Sequence, residues 1–208
     1  MQDQRACWMK DVSAAPSTAV FLDRDGTLNH DTGYVTSPDQ LVLFPGVPEG
    51  IARLNHLGAM VLLVTNQSAI GRGMMTIQGL ESIHERLAEL IRPYGASIDG
   101  IFFCPHHPQE GCACRKPKAG LIDQAVTRFA LDVSQCFFVG DKWSDLAAAQ
   151  TASVPGVLVM TSSYSADVVK ARDEGRVLID YVADSFVHAV DWIEQQIVTR
   201  CNKTRLGR

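Results

Sequence analysis

The 208-residue chain is 46% apolar and 20% charged, ordinary values for a folded domain that exclude a disordered tail or a fibre. A formal net charge of -4 argues against a general nucleic-acid or membrane-surface binder, while leaving room for a local basic pocket that takes a small anion. No apolar run reaches membrane-span length, and the opening "MQDQRACWMKDVSAAPST" lacks the charged-then-apolar order of a signal peptide, so the expected location is the cytoplasm.

In chain order, residues 1–17 read as a flexible extension, 18–199 as a single domain and 200–208 as a basic tail. Short β-branched or aromatic runs stopped by polar residues or glycine predict buried strands at "TAVFLD", "AMVLLVTN", "IDGIFFC", "QCFFVGD" and "PGVLVM", with "VLIDYV" as a further candidate. Helical periodicity covers Val47–Leu57, Ile77–Ile91, Ala119–Phe129, Ser144–Thr151 and Ser185–Val198. This alternation predicts an α/β fold with a Rossmann-like, mostly parallel sheet and right-handed crossovers. Asp23, Thr65 and Asp141 each close an apolar run at its carboxyl end, where open parallel sheets bind ligands.

"FLDRDGTLN" sets Asp23 and Asp25 two apart at a strand tip, a pair able to bind a divalent cation and to supply a nucleophile to phosphorus. Taken alone it is also an ordinary Asp/Gly turn. "VLLVTNQS" brings the Thr65 hydroxyl, with Asn66 beside it. "RKPKAG" brings Arg115 and Lys116 just ahead of a helix, whose first turn Pro117 suits and whose start favours an anion. "FFVGDKWSD" adds Asp141 and Asp145 at another strand end, which strengthens the case for Mg²⁺.

Three of the six cysteines crowd into Cys104–Cys114. Cys104, His106, Cys112 and Cys114 form C-x-H-x5-C-x-C, a donor set suited to tetrahedral zinc, with His107 as a rival ligand. Four protein ligands leave no open position, so this zinc is expected to be structural, a clamp that ends in Arg115 and Lys116. Cys136 reads as a buried small hydrophobe, and Cys7 and Cys201 carry no functional signal.

In this order the four polar stretches resemble the motifs of the haloacid dehalogenase-like phosphatases. The resemblance implies helices on both faces of the sheet. It makes Asp23 the nucleophile and Asp25 the acid and then the base. It assigns Thr65, Arg115 and Lys116 to the phosphoryl group, and Asp23, Asp25 and Asp141 to Mg²⁺ with Asp145 in support. Acid chemistry near neutrality asks for an Asp25 pKa shifted upward. The further stretches "GYV", "TNQSAIGRG" and "CPHHP…CxCRKP" are similar to those of the D-glycero-D-manno-heptose 1,7-bisphosphate 7-phosphatases. Those enzymes serve nucleotide-heptose and surface-glycan synthesis. By that resemblance Asp31, Thr32, Gly33, Tyr34, Thr65, Asn66, Gln67, Ser68, Arg115, Lys116 and Lys142 contact a sugar phosphate. The GRG spacing makes Arg72 a candidate for a second phosphate.

Two departures stand out. Ala69 replaces a usual glycine, and only five residues part His106 from Cys112, a short loop that resembles histidinol-phosphate phosphatases instead. The motif spacing leaves no room for a separate cap domain, so loops have to set specificity. A monomer acting on a small molecule, without nucleic-acid or membrane partners, is expected. The readings from other classes are a zinc-pinned sugar-phosphate-binding module without catalysis, and a redox protein using Cys112 and Cys114.

Overall fold

The computed structural model describes residues 18–206, with side chains as far as Arg200. The expected extension over residues 1–17 lies outside the described residues. Six strands, β1 (Ala19–Leu22), β2 (Met60–Asn66), β3 (Gly100–Cys104), β4 (Phe137–Gly140), β5 (Gly156–Val159) and β6 (Tyr181–Ala183), form one sheet in the order β3-β2-β1-β4-β5-β6. Every pairing is parallel, as the strand–helix alternation requires.

The period of two along β1 divides its side chains between two cores. Val20 and Leu22 join Val61 and Leu63 beneath α1 (Val47–His56), α2 (Ile77–Ile91) and α6 (Phe186–Leu206). Ala19 and Phe21 join Leu62 and Val64 on the other face, under α3 (Gly120–Phe129) and α4 (Trp143–Thr151). These β1 side chains are fully buried. Burying a large apolar side chain contributes about 1.5–3 kcal/mol, so a two-faced core holds the strand tips rigidly. Helices therefore cover both faces, and no cap domain lies among the described residues. None of the described helices is long and apolar enough to cross a membrane.

Four elements differ from expectation. A further helix, α5 (Ser165–Asp173), buries only Ser165, Val168 and Ala171, too few apolar positions to make a stripe in the sequence. Only the end of "VLIDYV" is strand. Val177 instead packs with Leu158, and Asp180 Oδ2 accepts from the Gly156 amide at 2.8 Å. Helix α3 starts at Gly120, so Pro117 lies ahead of the first turn rather than in it, in a cis peptide with Lys116. Helix α6 runs on to Leu206, into the stretch read as a basic tail.

His84 of α2 is a polar group inside this core, 6% exposed, its Nε2 without a hydrogen-bond partner. Burial first, then the charge of Arg24, push its pKa down to about 3 from an ordinary 6.5, with Asp25 acting the other way. Folded His84 stays neutral where the unfolded chain takes up a proton, so stability is lost as pH falls from about 6.5 towards 3. The loss is at most about 1.4 kcal/mol per pH unit. Urea midpoints measured from pH 7 to pH 4 are expected to fall less steeply for His84→Leu than for the wild type. Equal slopes would mean that His84 is not held neutral.

Candidate active site

Because β2, β1 and β4 are adjacent and parallel, their carboxyl ends open on one edge, and Asp23, Thr65 and Asp141 meet there. The Asp23 amide still donates to Val139 O at 3.0 Å, tying the tip of β1 to β4. Asp23, Asp141 and Asp145 are all buried and each brings a carboxylate oxygen within 4.8 Å of the others. Gly26 makes the crowding possible. Its φ of +94° and the space of a missing Cβ, which would stand 2.3 Å from Asp141 Oδ2, exclude other residues.

Three buried carboxylates repel one another unless cations offset them. Lys116 is the main one, its Nζ lying 2.8 Å from Asp23 Oδ1, 2.6 Å from Asp145 Oδ1 and 2.8 Å from the Val64 carbonyl. Burial works against its charge, but Asp145 and Asp23 outweigh that and raise its pKa. Lys142 is the second, donating to Asp31 Oδ2 at 2.8 Å and to the Asp25 carbonyl at 3.0 Å. The balance is incomplete. Burial, then Asp145 and Asp23, push Asp141 up to about 7, and burial raises Asp23 as well. Asp141 Oδ1 accepts from Thr27 at 3.2 Å, yet Oδ2 has no hydrogen-bond partner, with Lys142 Nζ 3.9 Å away. An orphaned carboxylate oxygen beside two more carboxylates suits a hard divalent cation such as Mg²⁺.

Asp25 stands apart from that cluster. Its carboxylate turns to Arg24, Asn29 and Gln67, with Asn29 Nδ2 at 3.0 Å and Gln67 Nε2 at 2.9 Å. Burial raises its pKa, but the charge and hydrogen bonds of Arg24 outweigh burial and leave it below the ordinary value. The upward shift expected from the sequence is therefore reversed, because the intervening Arg24 is folded inward as a counter-ion.

The cavity over these groups has a volume of about 240 Å³. Asp23, Asp25, Asp31, Gly33, Tyr34, Thr65, Asn66, Gln67, Ser68, Arg115, Lys116 and Lys142 all line it, as does Asp145. Thr32, Arg72 and the fully buried Asp141 do not. Arg72 instead stacks on the Tyr34 ring at 5.8 Å. Asn66 faces its neighbour more than the cavity, since its amide donates to the Lys116 carbonyl and accepts from the Lys116 amide, each at 3.1 Å. Thr27 and Tyr164 were missed by sequence reasoning. Tyr164, 52% exposed at the mouth, lies under Lys142 Nζ at 5.4 Å. It enters from the loop before α5, which Thr161 ties to the Gly26 carbonyl. A signal existed for Thr27 in "DGT", but none for a tyrosine ahead of an unmarked helix. A larger groove of about 490 Å³ between α2 and β3 gathers no comparable carboxylate–lysine cluster.

The cysteine loop closes on itself beside this cavity. His106 Nδ1 lies 3.5 Å from Cys104 Sγ and 3.2 Å from Cys114 Sγ, and Cys112 Sγ lies 3.5 Å from both. These separations are too long for a disulfide of about 2.05 Å. They approach the edge of about 3.7 Å expected for sulfurs in a zinc tetrahedron with bonds near 2.3 Å. Burial raises the Cys104 and Cys114 thiols, whereas hydrogen bonds around Cys112 lower it against burial. His107 faces elsewhere, its Nδ1 accepting from the Gln109 amide at 3.3 Å. The donor set fits zinc. Gly71 packs against the loop so closely that a Cβ would sit 2.4 Å from the His107 amide nitrogen.

A HAD-hydrolase-like family model matches residues 113–189. Over 183 residues the chain is 42% identical to the D-glycero-beta-D-manno-heptose-1,7-bisphosphate 7-phosphatase of Haemophilus ducreyi, covering 84% of this chain and 97% of that one. The enzyme of the same name from Pseudomonas aeruginosa is 39% identical over 79% of this chain and 93% of its own. Among solved structures, D,D-heptose 1,7-bisphosphate phosphatase from B. bronchiseptica, complexed with magnesium and phosphate, superposes with a TM-score of 0.79 at 34% identity. It covers 86% of this chain and 99% of that one.

Proposed function

The chain belongs to the haloacid dehalogenase-like hydrolases, within their heptose-bisphosphate phosphatase branch, and is a phosphoric monoester hydrolase; on that premise we propose that it removes the 7-phosphate of D-glycero-D-manno-heptose 1,7-bisphosphate. The observation that carries the chemistry is one cluster, a strand-tip carboxylate, Asp23, held by Lys116 beside two more buried carboxylates.

In this reading Asp23 attacks phosphorus and forms an aspartyl phosphate, which splits one hard hydrolysis into two steps. Asp25 is assigned the proton exchange with the leaving sugar oxygen and then with the attacking water. Arg24 holds it ionised beforehand, so this requires that it take up a proton as substrate binds. Lys116, held by Asn66 through its backbone, meets the phosphoryl oxygens together with Thr65 and Arg115. Asp23 and Asp141, with Asp145 in support, would hold Mg²⁺, which when bound would supply positive charge at those oxygens. The share of Asp25 in binding the ion does not come through its carboxylate, which Arg24 holds. Cys104, His106, Cys112 and Cys114 would hold zinc, which when bound would steady Arg115 and Lys116 without taking part in bond breaking.

Asp31, Gly33, Tyr34, Ser68 and Lys142 line the mouth and are assigned to the sugar, with Tyr164 as an aromatic wall. Thr32 lies next to these contacts. The relatives' names specify the beta anomer, which is the anomer expected here. The reading places the enzyme in the cytoplasm, as a monomer on the route to nucleotide-activated heptose. The short zinc loop is the observation that favours histidinol phosphate as a second substrate reading. Phosphorus NMR of the product tests the regiochemistry: loss of the 7-phosphate signal with the 1-phosphate retained is expected, and retention of the 7-phosphate would overturn it.

Arg72, exposed above Tyr34, is assigned to the second phosphate. A charge-assisted contact to phosphate at an exposed position amounts to roughly a tenfold effect. Arg72→Ala is therefore expected to raise KM about tenfold for the bisphosphate with kcat kept, and to leave a monophosphate ester unchanged. Unaltered kinetics on the bisphosphate would remove Arg72 from the site.

A further inference from the structure

Lys116 and the carboxylates around it are buried, so a phosphoryl group goes deep and the alcohol it is joined to lies at the mouth. Tyr164 lines the cavity at that mouth and is 52% exposed. An exposed tyrosine by itself is ordinary. The segment that carries this one is fixed at several points. Thr161 Oγ1 donates to the Gly26 carbonyl at 2.5 Å, which ties the segment to the turn after Asp25. Fully buried Ser165 donates to the Val159 carbonyl at 2.9 Å. The Tyr164 amide donates to Ser162 Oγ at 3.3 Å, and its carbonyl accepts from the Asp167 and Val168 amides as α5 begins. Val168 then packs in one cluster with Leu146 and Leu158. Lys142 Nζ lies 5.4 Å from the ring centroid but is committed to Asp31 Oδ2 and the Asp25 carbonyl. An aromatic ring is thus set in place before a substrate arrives, with polar groups alongside it.

We infer that Tyr164 is a specificity-determining residue: its ring takes the C–H face of a pyranose whose exocyclic phosphate sits among the buried carboxylates and Lys116. This rests on the sugar-phosphate reading above and names the part of the sugar that is read. A pyranose carries hydroxyls round its rim and patches of C–H on its faces. Those weakly positive C–H groups suit the negative face of an aromatic ring. The rim hydroxyls then meet Asp31 and Lys142, which line the same cavity. An open-chain polyol phosphate offers the same kind of ester and hydroxyls but no flat face, and it loses chain entropy on being held in one shape. With no cap domain among the described residues to enclose the substrate, a fixed wall at the mouth is what separates rings from chains.

The test sets the methyl glycoside of a hexopyranose 6-phosphate against the matching hexitol 6-phosphate, which share the ester and differ in ring closure. Each is measured by KM, or by Ki against p-nitrophenyl phosphate hydrolysis where its own turnover is too slow to follow. The wild type is expected to favour the ring compound. Tyr164→Ala is expected to cut that preference about tenfold by raising KM or Ki for the ring, with kcat kept. Tyr164→Phe keeps the aromatic face and is expected to retain the preference. Both variants should melt with the wild type, since Tyr164 lies outside the buried apolar clusters. Equal losses on ring and chain would reduce Tyr164 to a structural residue. An unchanged preference in Tyr164→Ala, or no preference in the wild type, would overturn the inference outright. A wild type that favours the ring through Tyr164 yet ignores the heptose bisphosphate would refute the substrate assignment alone.

Discussion

Asp23→Asn is expected to abolish phosphate release, by on the order of 10⁴-fold or more, while leaving the fold intact. The substitution is isosteric, so the packing of the β1 tip and the backbone hydrogen bond from residue 23 N–H to the Val139 carbonyl persist. What disappears is the nucleophile, and with it the aspartyl phosphate. It also removes one of three buried carboxylates whose mutual repulsion contributes to the raised pKa values of Asp23 and Asp141. The variant should therefore melt no lower than the wild type. Loss of activity with a retained melting temperature separates a chemical role from a structural one. A variant within about tenfold of wild-type kcat would show that another group attacks phosphorus.

Loss of a zinc ligand is expected to have the next largest effect, on stability and activity together. Cys114 contacts His106 and Cys112, and Lys116 follows it by two residues. The same loop is drawn in by Lys118, whose Nζ donates to the Gly111 and Cys112 carbonyls at 2.7 Å each. A structural zinc couples its binding free energy to folding, so losing it costs several kcal/mol, or a fall in Tm of roughly 10 °C for a domain of this size. Cys114→Ser should purify without zinc and melt at about that lower temperature. Its kcat should fall about 10²-fold, because small misplacements of a phosphoryl-binding lysine are costly. Wild-type protein free of zinc, with an unchanged Cys114→Ser variant, would mean that the thiols are clustered for another reason.

Much of the fold was legible because parallel strands buried on both faces leave short uninterrupted apolar runs, such as "AMVLLVTN". The site was legible where residues sit at strand tips in recognisable order, as Asp23, Thr65 and Asp141 do. Other features depend on three-dimensional closure. Arg24 reads as an ordinary exposed charge between two aspartates, and nothing local says that it folds inward to grip Asp25 and reverse the pKa shift expected there. Helix α5 packs through so few apolar positions that its periodicity is faint, and Tyr164 was lost with it. Asn66 looks like a ligand-facing donor, but its side chain pairs with the backbone of a lysine fifty residues away. Such pairings are set by how the cysteine loop folds back, which spacing alone does not encode.

The central claim is a substrate claim, and phosphate release tests it most directly. With Mg²⁺ present, kcat/KM is measured for both anomers of D-glycero-D-manno-heptose 1,7-bisphosphate and for histidinol phosphate, with Asp23→Asn as the blank. A large advantage for the beta heptose bisphosphate is predicted, whereas a preference for histidinol phosphate would contradict the account.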